Sequence, residues 1–505
     1  MNNISEERTV EQAYNFISEV NKVAYQDKFL LPNQVLSKNP FSNNFLRRFL
    51  NNEEPRQLSA GSLVIKFLFY YLKNLRKFVL YLIEFIVYYL HPLRFRLSRN
   101  CDELILLDTF FLFEKIKASN NYVDSYFAGV KDVLNKKKKL YAYLPIFSGS
   151  RKFLNLGRII RIINKQNIPV ICEYQLLSVK DLLYLLYFIL TYPFHLIRFA
   201  NGLSKKDYAS CLLKNELMLT LDLLIVDTFS RYLQGRRIAG LPYKEIKVLS
   251  WYENQVKDKN LYKGLKESNS KVKIYGAQLF LYPKNILNII PDENEEIFGI
   301  IPDKIIVNGP VFIPKKTRLN YHVGPSLRYA NIFNYFNKGA KREAVLVLLP
   351  YFKDDMDNIL RILSQVKGYD KPILVKLHPS VSLEEVRGSL PPNTVIVKED
   401  VYRLFETAKI VIGSGTGSLV EAVSLGIPVI VIKGNQKLDY NYLPDYGKEI
   451  VWDEARTAEE LVQKIGKIVS LTDKNSAEVA SIAYKYKEMF FCNPTEENII
   501  KAFEL

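Results

Sequence analysis

The stretch ILVKLHPS, residues 373–380, followed by AKIVIGSGTGSLVEAVSLGIPVIVI, residues 408–432, decides how this chain is read. The first is a buried-strand run ending in His378-Pro379. The second is a strand that opens through a glycine-serine turn into a helix starting near Leu419, with a further apolar strand behind it. Gly413, Gly415 and Gly417 let the backbone take positive φ and let a ligand approach without Cβ obstruction, while Ser414, Thr416 and Ser418 add hydroxyls. Orphan N–H groups and the positive end of a helix dipole converge there, so the pattern predicts an anion site suited to a diphosphate or a nucleoside monophosphate. In an open α/β sheet, ligands bind beyond the carboxyl ends of the strands, where both His378 and the turn fall.

Two commoner phosphate loops are excluded. No Lys follows the turn at Walker spacing, and the full G-x-G-x-x-G arrangement is missing. Taken singly, each half has a bland reading, since a glycine turn can be purely structural and a His-Pro pair can simply end a strand. Their conjunction, in this order and spacing, is what favours a site.

Outward from this block, AVLVLLP, PILVKLHP, NTVIVKED, AKIVIGSG and IPVIVI are five short apolar strands separated by helical stretches, which predicts a parallel doubly wound sheet within 343–480 and a closing helical segment over 481–505. Upstream, strands are predicted at 102–112, 138–147, 169–173, 222–227, 246–251, 273–278 and 304–308, with a surface helix in 252–272. These make a first α/β domain over 101–310, the acceptor side of a two-domain enzyme, with a linker through 309–342. Residues 1–60 read as a polar, loosely packed lead-in, and an aromatic-rich basic helical region completes 1–100. At 505 residues and 48% hydrophobic content, the chain is long enough for two cores. The expected fold class is therefore α/β, with two Rossmann-like doubly wound domains and a helical, aromatic-rich N-terminal insertion.

A formal charge of +17 asks for an anionic partner. No zinc finger, RRM signature or basic recognition helix is present, so nucleic acid is not the expected one. An anionic membrane surface fits better: SLVIKFLFYYLKNLRKFVLYLIEFIVYYLHPLRFR, residues 62–96, mixes aromatic-aliphatic runs with Lys66, Lys73, Arg76, Lys77, Arg94 and Arg96. Its longest uncharged run, Phe85 to Leu93, is well short of the roughly 20 residues that span a bilayer. The run 182–199 is nearly long enough, but Pro193 and His195 interrupt it. The plainer alternative for both segments is a pair of core helices. Cys101, Cys172, Cys211 and Cys492 show no C-x-x-C spacing, which favours a reduced compartment without structural zinc, and four scattered histidines argue against metal. The polar N-terminus carries no signal segment, so the protein is expected in the cytoplasm, with the inner face of the membrane as its partner surface. The lysine run 136–139 reads as solvated surface.

The segment K-L-H-P followed by G-S-G-T-G-S-L-V-E-A-V-S-L-G-I-P-V-I resembles the C-terminal half of GT-B glycosyltransferases. Within them it is most similar to the bacterial sialyltransferase, polysialyltransferase and capsular Kdo-transferase group, and it also resembles CDP-glycerol glycerophosphotransferases. Trp251-Tyr252-Glu253-Asn254-Gln255, Tyr275-Gly276-Ala277-Gln278 and Val307-Asn308-Gly309-Pro310 resemble the E-N-Q, G-x-Q and N-G-P elements of surface-carbohydrate proteins from O-antigen gene clusters, and Gly324 to Tyr329 matches a G-x-x-x-R-Y element. The likeness covers roughly residues 245–435. It implies that Lys376, His378 and Pro379, together with Ser414, Gly415, Thr416, Gly417 and Ser418, hold the donor phosphate, and that Glu421 bonds the donor ribose. In the two-glutamate version of that motif another Glu lies eight residues earlier, where this chain has Gly413, so stereochemistry stays open.

These readings imply a glycosyltransferase of bacterial surface polysaccharide, O-antigen or capsule, using a CMP-activated nonulosonic acid or Kdo-type donor and a glycan or lipid-linked glycan acceptor, with no cofactor beyond the nucleotide-sugar itself. A CDP-glycerol-type glycerophosphotransferase and an inactive GT-B scaffold at the membrane are the alternatives. An inverting transfer needs a base for the acceptor hydroxyl and charge stabilisation for the departing phosphate. Glu253, at a predicted strand end, is the first candidate for the base and Glu173 the second. His378 is placed to protonate or hydrogen-bond the phosphate, and Arg328 to add fixed positive charge. Ser148, Gly149, Ser150 and Arg151 form a strand-end loop on the same cleft, while Tyr141 and Tyr143 cannot be ranked.

Overall fold

The computed structural model describes residues 8–41, 43–56, 58–98, 101–149, 152–204, 206–268, 271–335, 342–366, 373–378, 381–386, 390, 394–434, 438 and 440–505. Pro379, Ser150 and Arg151, named above, lie outside the described residues.

The chain opens with α1 (Val10–Ala24), α2 (Phe45–Leu50) and α3 (Ala60–Leu90). The first sheet region runs β1 (Glu103–Leu112), α4 (Phe113–Ser119), α5 (Val130–Lys136), β2 (Tyr141–Ser148), α6 (Lys152–Lys165), α7 (Glu173–Leu176), α8 (Val179–Gly202), α9 (Tyr208–Leu219), α10 (Val226–Ala239) and β3 (Glu245–Trp251). It ends with α11 (Val256–Ser268), β4 (Val272–Ala277), α12 (Glu293–Ile297), β5 (Lys304–Val307), β6 (Tyr321–Val323) and α13 (Ala330–Asn334). All its described strands are parallel, in the order β2-β1-β3-β4-β5-β6.

The second region runs β7 (Ala344–Leu348), α14 (Lys353–Gln365), β8 (Ile373–Lys376), β9 (Thr394–Val397), α15 (Val401–Thr407), β10 (Ala408–Gly413), α16 (Ser418–Ser424), β11 (Val429–Ile432) and β12 (Trp452–Ala455). Its parallel sheet has the order β12-β11-β10-β7-β8-β9. Each sheet reverses its strand order once, between β1 and β3 in the first and between β7 and β10 in the second. The helices α17 (Ala458–Lys474) and α18 (Ser476–Phe490) cover the second sheet, and α19 (Glu496–Phe503) returns to the first domain, where Lys136 pairs with Glu496 at 2.8 Å and Tyr275 donates to Glu504 at 2.8 Å. Two Rossmann-like domains in the GT-B arrangement are therefore the fold.

Three sequence expectations need correction. The lead-in is packed, not loose: Tyr14, Phe29, Val35, Leu36, Phe45 and Phe49 are buried in the first domain's core, and α1 carries Ala13, Tyr14, Ile17 and Ala24 on one helical face behind a Thr9 capping box. Residues 222–225 form no strand. The Asn74 side chain on α3 bonds the Leu223 carbonyl and the Ile225 N–H, each at 3.0 Å, and so satisfies backbone that a sheet would otherwise claim. Residues 169–173 contribute only a bridge, Tyr143 to Val170. In addition, β6 lies inside the expected linker, and α8 continues through Pro193 instead of breaking there.

The contact that sets the first domain's geometry is the crossing of α10 and α11. A Cβ on Gly235 would sit 2.4 Å from the Leu261 carbonyl oxygen, and one on Gly264 2.1 Å from that of Tyr232. Only glycine at both positions lets the two backbones meet. Gly264→Ala is expected to cost about 1–3 kcal/mol or more through overpacking, seen as a lower midpoint in thermal unfolding. Gly466→Ala on α17, with no atom within 4 Å of the added carbon, is the control and should hold or raise the midpoint. Equal midpoints for the two variants would contradict the crossing.

Candidate functional site

The glycine turn follows β10 and therefore sits at the strand-order reversal of the second sheet, beside β7. Gly415 adopts φ +56°, a region disfavoured for other residues, and its α-carbon faces Asp355, Pro350 and Tyr440. Among the described residues, none accepts a hydrogen bond from the backbone N–H of Gly415, Thr416 or Gly417, while the Ser418 N–H reaches the Thr416 hydroxyl at 3.4 Å. The helix behind the turn, α16, is only two turns long, so the exposed donors matter more than a macrodipole. Ser418 donates to Glu421 at 3.1 Å, and Tyr402 donates to the other Glu421 oxygen. Burial raises the Glu421 pKa, while Tyr402, Ser418 and Arg328 pull it down.

His378 ends β8, two strands from β10, with β7 between them. At ordinary strand spacing β8 and β10 lie about 10 Å apart, which places His378 on the flank of the turn. Tyr351 packs its ring edge-on to His378 with centroids 5.5 Å apart. Burial lowers the His378 pKa, which favours the uncharged ring, a form that can still donate a hydrogen bond to a phosphate. Lys376 Nζ donates to the Glu399 carbonyl at 2.6 Å, on the β9 side. Phe352, Tyr440 and Phe41 of the lead-in form a cluster of three rings, with Phe352 stacked on Tyr440 at 5.4 Å and on Phe41 at 4.9 Å and Phe41 5.2 Å from Tyr440.

From the first domain, the E-N-Q, G-x-Q and N-G-P segments assemble at the carboxyl ends of β3, β4 and β5. Gln278 accepts from the Asn308 N–H at 3.2 Å and donates to the Phe280 carbonyl at 2.7 Å, and Ser326 donates to the Asn308 carbonyl at 3.0 Å. Asn254 takes a left-handed φ of 53°, held by bonds from its amide to the Asn288 carbonyl and to Glu295, each at 2.8 Å. Glu253 precedes this kink, two residues beyond β3, which borders the reversal point between β1 and β3. The Glu253 and Gln255 N–H groups both donate to Asp258, at 3.1 and 3.0 Å. Burial and the neighbouring Asp258 raise the Glu253 pKa to about 7, and burial raises that of Asp258 to about 6.

Arg328 joins the two halves. It lies on the short turn Leu327–Tyr329, donates to the Leu279 carbonyl at 3.2 Å, and sits 5.4 Å and 5.8 Å from the ring centres of Tyr126 and Trp251. Its charge acts on both Glu253 and Glu421. The next residue, Tyr329, accepts from the Leu281 N–H at 3.0 Å, and Leu281 fills the space over Gly417, where an added Cβ would lie 3.2 Å from the Leu281 Cβ.

Arg328 thus lies within electrostatic reach of Glu253 on one side and, on the other, of Glu421, which is bonded to Ser418 of the turn. Glu173 is elsewhere, bonded to Lys152 at 2.9 Å, Tyr81 at 3.0 Å and Gln234 at 2.8 Å. Tyr141 and Tyr143 are buried in β2. Asp258, Tyr402, Tyr126 and Phe41 were not foreseen; only Asp258, five residues beyond Glu253 at a helix start, left a signal in the sequence. Among the described residues, no group of three His, Cys, Asp or Glu side chains could hold a metal ion.

No family model and no curated protein matches this sequence. Solved structures similar to it include a UDP-GlcNAc 2-epimerase from Neisseria meningitidis bound to UDP-GlcNAc, at 10% identity and TM-score 0.43 over 79% of this chain and 99% of that one. Acinetobacter baumannii MurG follows at 10% and 0.41, covering 80% and 100%, and the wall teichoic acid polymerase TagF at 10% and 0.37, covering 88% and 97%. Likenesses this distant say nothing of activity, and the fold assignment rests on the two sheets themselves.

A raised carboxyl pKa has a definite sign in stability. Between 4.5, the ordinary value, and about 7 the folded protein keeps a proton on Glu253 that the unfolded chain releases, so this group's contribution is fully present at low pH and lost as pH rises through about 7. Glu253→Gln cannot titrate. Its unfolding midpoint relative to wild type should therefore climb between pH 5 and pH 8, and a difference that stays flat would show that Glu253 is solvated.

Proposed function

We propose that this protein is a nucleotide-sugar-dependent glycosyltransferase acting in the cytoplasm at the membrane face, building a bacterial surface polysaccharide of the O-antigen or capsule kind. The observation that carries the reading is that Glu253 and the glycine turn each stand at the strand-order reversal of their own sheet, with Arg328 between them. That is where a donor and an acceptor held by different domains would meet.

The donor's phosphate sits on the turn, where the N–H groups of Gly415, Thr416 and Gly417 and nearby hydroxyls point at oxygens whose charge grows as the glycosyl bond breaks. Arg328 adds a permanent positive charge to that leaving phosphate, and His378 donates a hydrogen bond from the flank. Glu421 keeps lone pairs for a ribose hydroxyl beside its bonds to Tyr402 and Ser418. With its pKa near 7, Glu253 is matched to removing the acceptor hydroxyl proton at neutral pH. Resemblance of the K-L-H-P and G-S-G-T-G-S segments to the sialyltransferase and Kdo-transferase group supports a CMP-activated nonulosonic acid or Kdo-type donor, and a glycan or lipid-linked glycan as acceptor.

The test is a thermal-shift panel of CMP, CDP, UDP, GDP and UMP on wild type, Gly415→Val and His378→Ala. A cytidine nucleotide at 100 times its dissociation constant should add about 2.7 kcal/mol of stability, and Gly415→Val should abolish the shift. Glu253→Gln should keep the shift yet lower turnover by about 10²–10⁴-fold. Turnover with CDP-glycerol but no CMP-sugar would assign the glycerophosphotransferase reaction instead, a response to UDP alone would discard the CMP donor, and no response to any nucleotide would favour a scaffold.

A further inference from the structure

The helix α3 is 31 residues long, about 46 Å at the usual rise, and its two faces differ. Tyr70, Asn74, Phe78, Tyr81, Glu84 and Tyr88 are buried against the first domain. On the opposite side Ile65, Phe69, Leu72, Val79, Ile86 and Leu90 are exposed, spaced by threes, fours and sevens so that they form one stripe along the helix. The neighbouring α8 exposes a second row, Leu183, Tyr187, Leu190 and Phe194. The rows join where Phe67 packs edge-on to Phe194, with centroids 5.8 Å apart, and where Tyr71 donates to the Leu190 carbonyl at 2.8 Å. A contiguous apolar surface of this kind on a protein exterior calls for an occupant.

Charge selects it. In α3, α8 and the adjoining α6, the acidic residues are Glu84, which is buried, and Asp181, which is paired with Arg237 at 2.6 Å. Exposed around the apolar rows are Arg76, Lys180 and Arg198, with Arg94, Arg158 and Arg161 toward the far end of α3. Lys66 and Lys73 share a single Asp222, which leaves a positive excess there too. By length and composition α8 is able to cross a membrane, but its inner row, including Leu185, Phe188, Tyr192 and Leu196, packs on protein, so it can lie against a bilayer and not through one.

We propose that the outer face of α3 and α8 docks on a bilayer surface bearing anionic headgroups, with the aliphatic rows entering the acyl boundary and the flanking arginines and lysines at headgroup level. This deepens the membrane-face part of the function proposed above by naming the surface and the lipid class, and it uses none of the cleft residues.

The intact chain is to be tested by flotation with phosphatidylcholine vesicles, with and without phosphatidylglycerol, at low and high salt. Binding is expected to the phosphatidylglycerol vesicles and to weaken in high salt. The variant Leu72→Glu/Ile86→Glu/Leu183→Glu should lose binding by about tenfold or more, with its unfolding midpoint unchanged because these three side chains are 60–63% exposed. Arg76→Ala/Arg198→Ala retains every aliphatic contact and should weaken binding several-fold, providing a readout that does not depend on the first variant folding. Absence of wild-type binding, equal binding by the triple glutamate variant, or a wild-type dimer in solution that this variant dissociates would overturn the proposal, the last giving the face to a second copy of the chain. Nucleotide stabilisation is measured without vesicles, so failure of the membrane face and failure of the donor site are separately visible.

Discussion

Two glycines meeting across a helix crossing determine where much of the first domain's chemistry can lie. Because Gly235 and Gly264 carry no Cβ, α10 reaches α11 backbone to backbone, and Arg231 on α10 meets the sheet where Asp108 of β1 pairs with Ser250 of β3. There it pairs with Asp108 at 2.6 Å, both side chains almost wholly buried, while Ser250 donates to the other Asp108 oxygen at 2.7 Å and Tyr262 to Ser250 at 2.9 Å. Such a pair need not add net stability over apolar packing, but removing one partner strands a charge at a cost of about 3–5 kcal/mol. It therefore fixes geometry. Asp258, which holds the Glu253 backbone, lies in the field of both Asp108 and Arg231.

The same network runs away from the cleft. Gln234, bonded to Arg231 at 3.0 Å, reaches Glu173, which takes Lys152; Lys152 in turn pairs with Glu84 of α3 at 3.2 Å, and Tyr174 donates to Glu84 at 2.8 Å. Glu173 accepts from Lys152 of α6, Tyr81 of α3 and Gln234 of α10, and so ties three helices together. Glu253 carries a pKa raised by burial and by Asp258, with Trp251 and Gln255 bonding its carboxylate and pulling the other way. One opens α7 and the other lies just beyond β3, and the partners around each carboxylate set its part.

Legibility in the sequence followed locality. The strands β7, β8, β10 and β11 could be read because each is a short β-branched run between turn residues, and the glycine turn could be read because its chemistry lies within six consecutive positions. β6 and β12 could not: three residues of YHV and four of WDEA carry no apolar run, and pairing with a neighbouring strand is what makes them strands. The segment 222–227 failed in the reverse direction, an apolar run whose backbone is claimed by Asn74. In the site, Glu253 and Arg328 were named from their motifs, but the Tyr126 and Trp251 rings beside Arg328 come from positions 202 and 77 residues earlier, a proximity that only the folded sheet creates.

The helix α3 joins the two themes of the molecule. Its inner face supplies Tyr81 and Glu84 to the buried network that continues through Arg231 toward the loop bearing Glu253, and its outer face is the apolar stripe. A polar network of this kind is rigid when every member is bonded, so a surface gripping the outer face would leave the helix's inner contacts, and hence the β3 loop, in place. The aromatic richness of 62–96 then has a physical reason. Tyrosines facing inward bury a ring and still deliver a hydroxyl to Glu173 or to the Ile189 carbonyl, as Tyr81 and Tyr70 do, while aliphatics facing outward offer area without a polar group to desolvate.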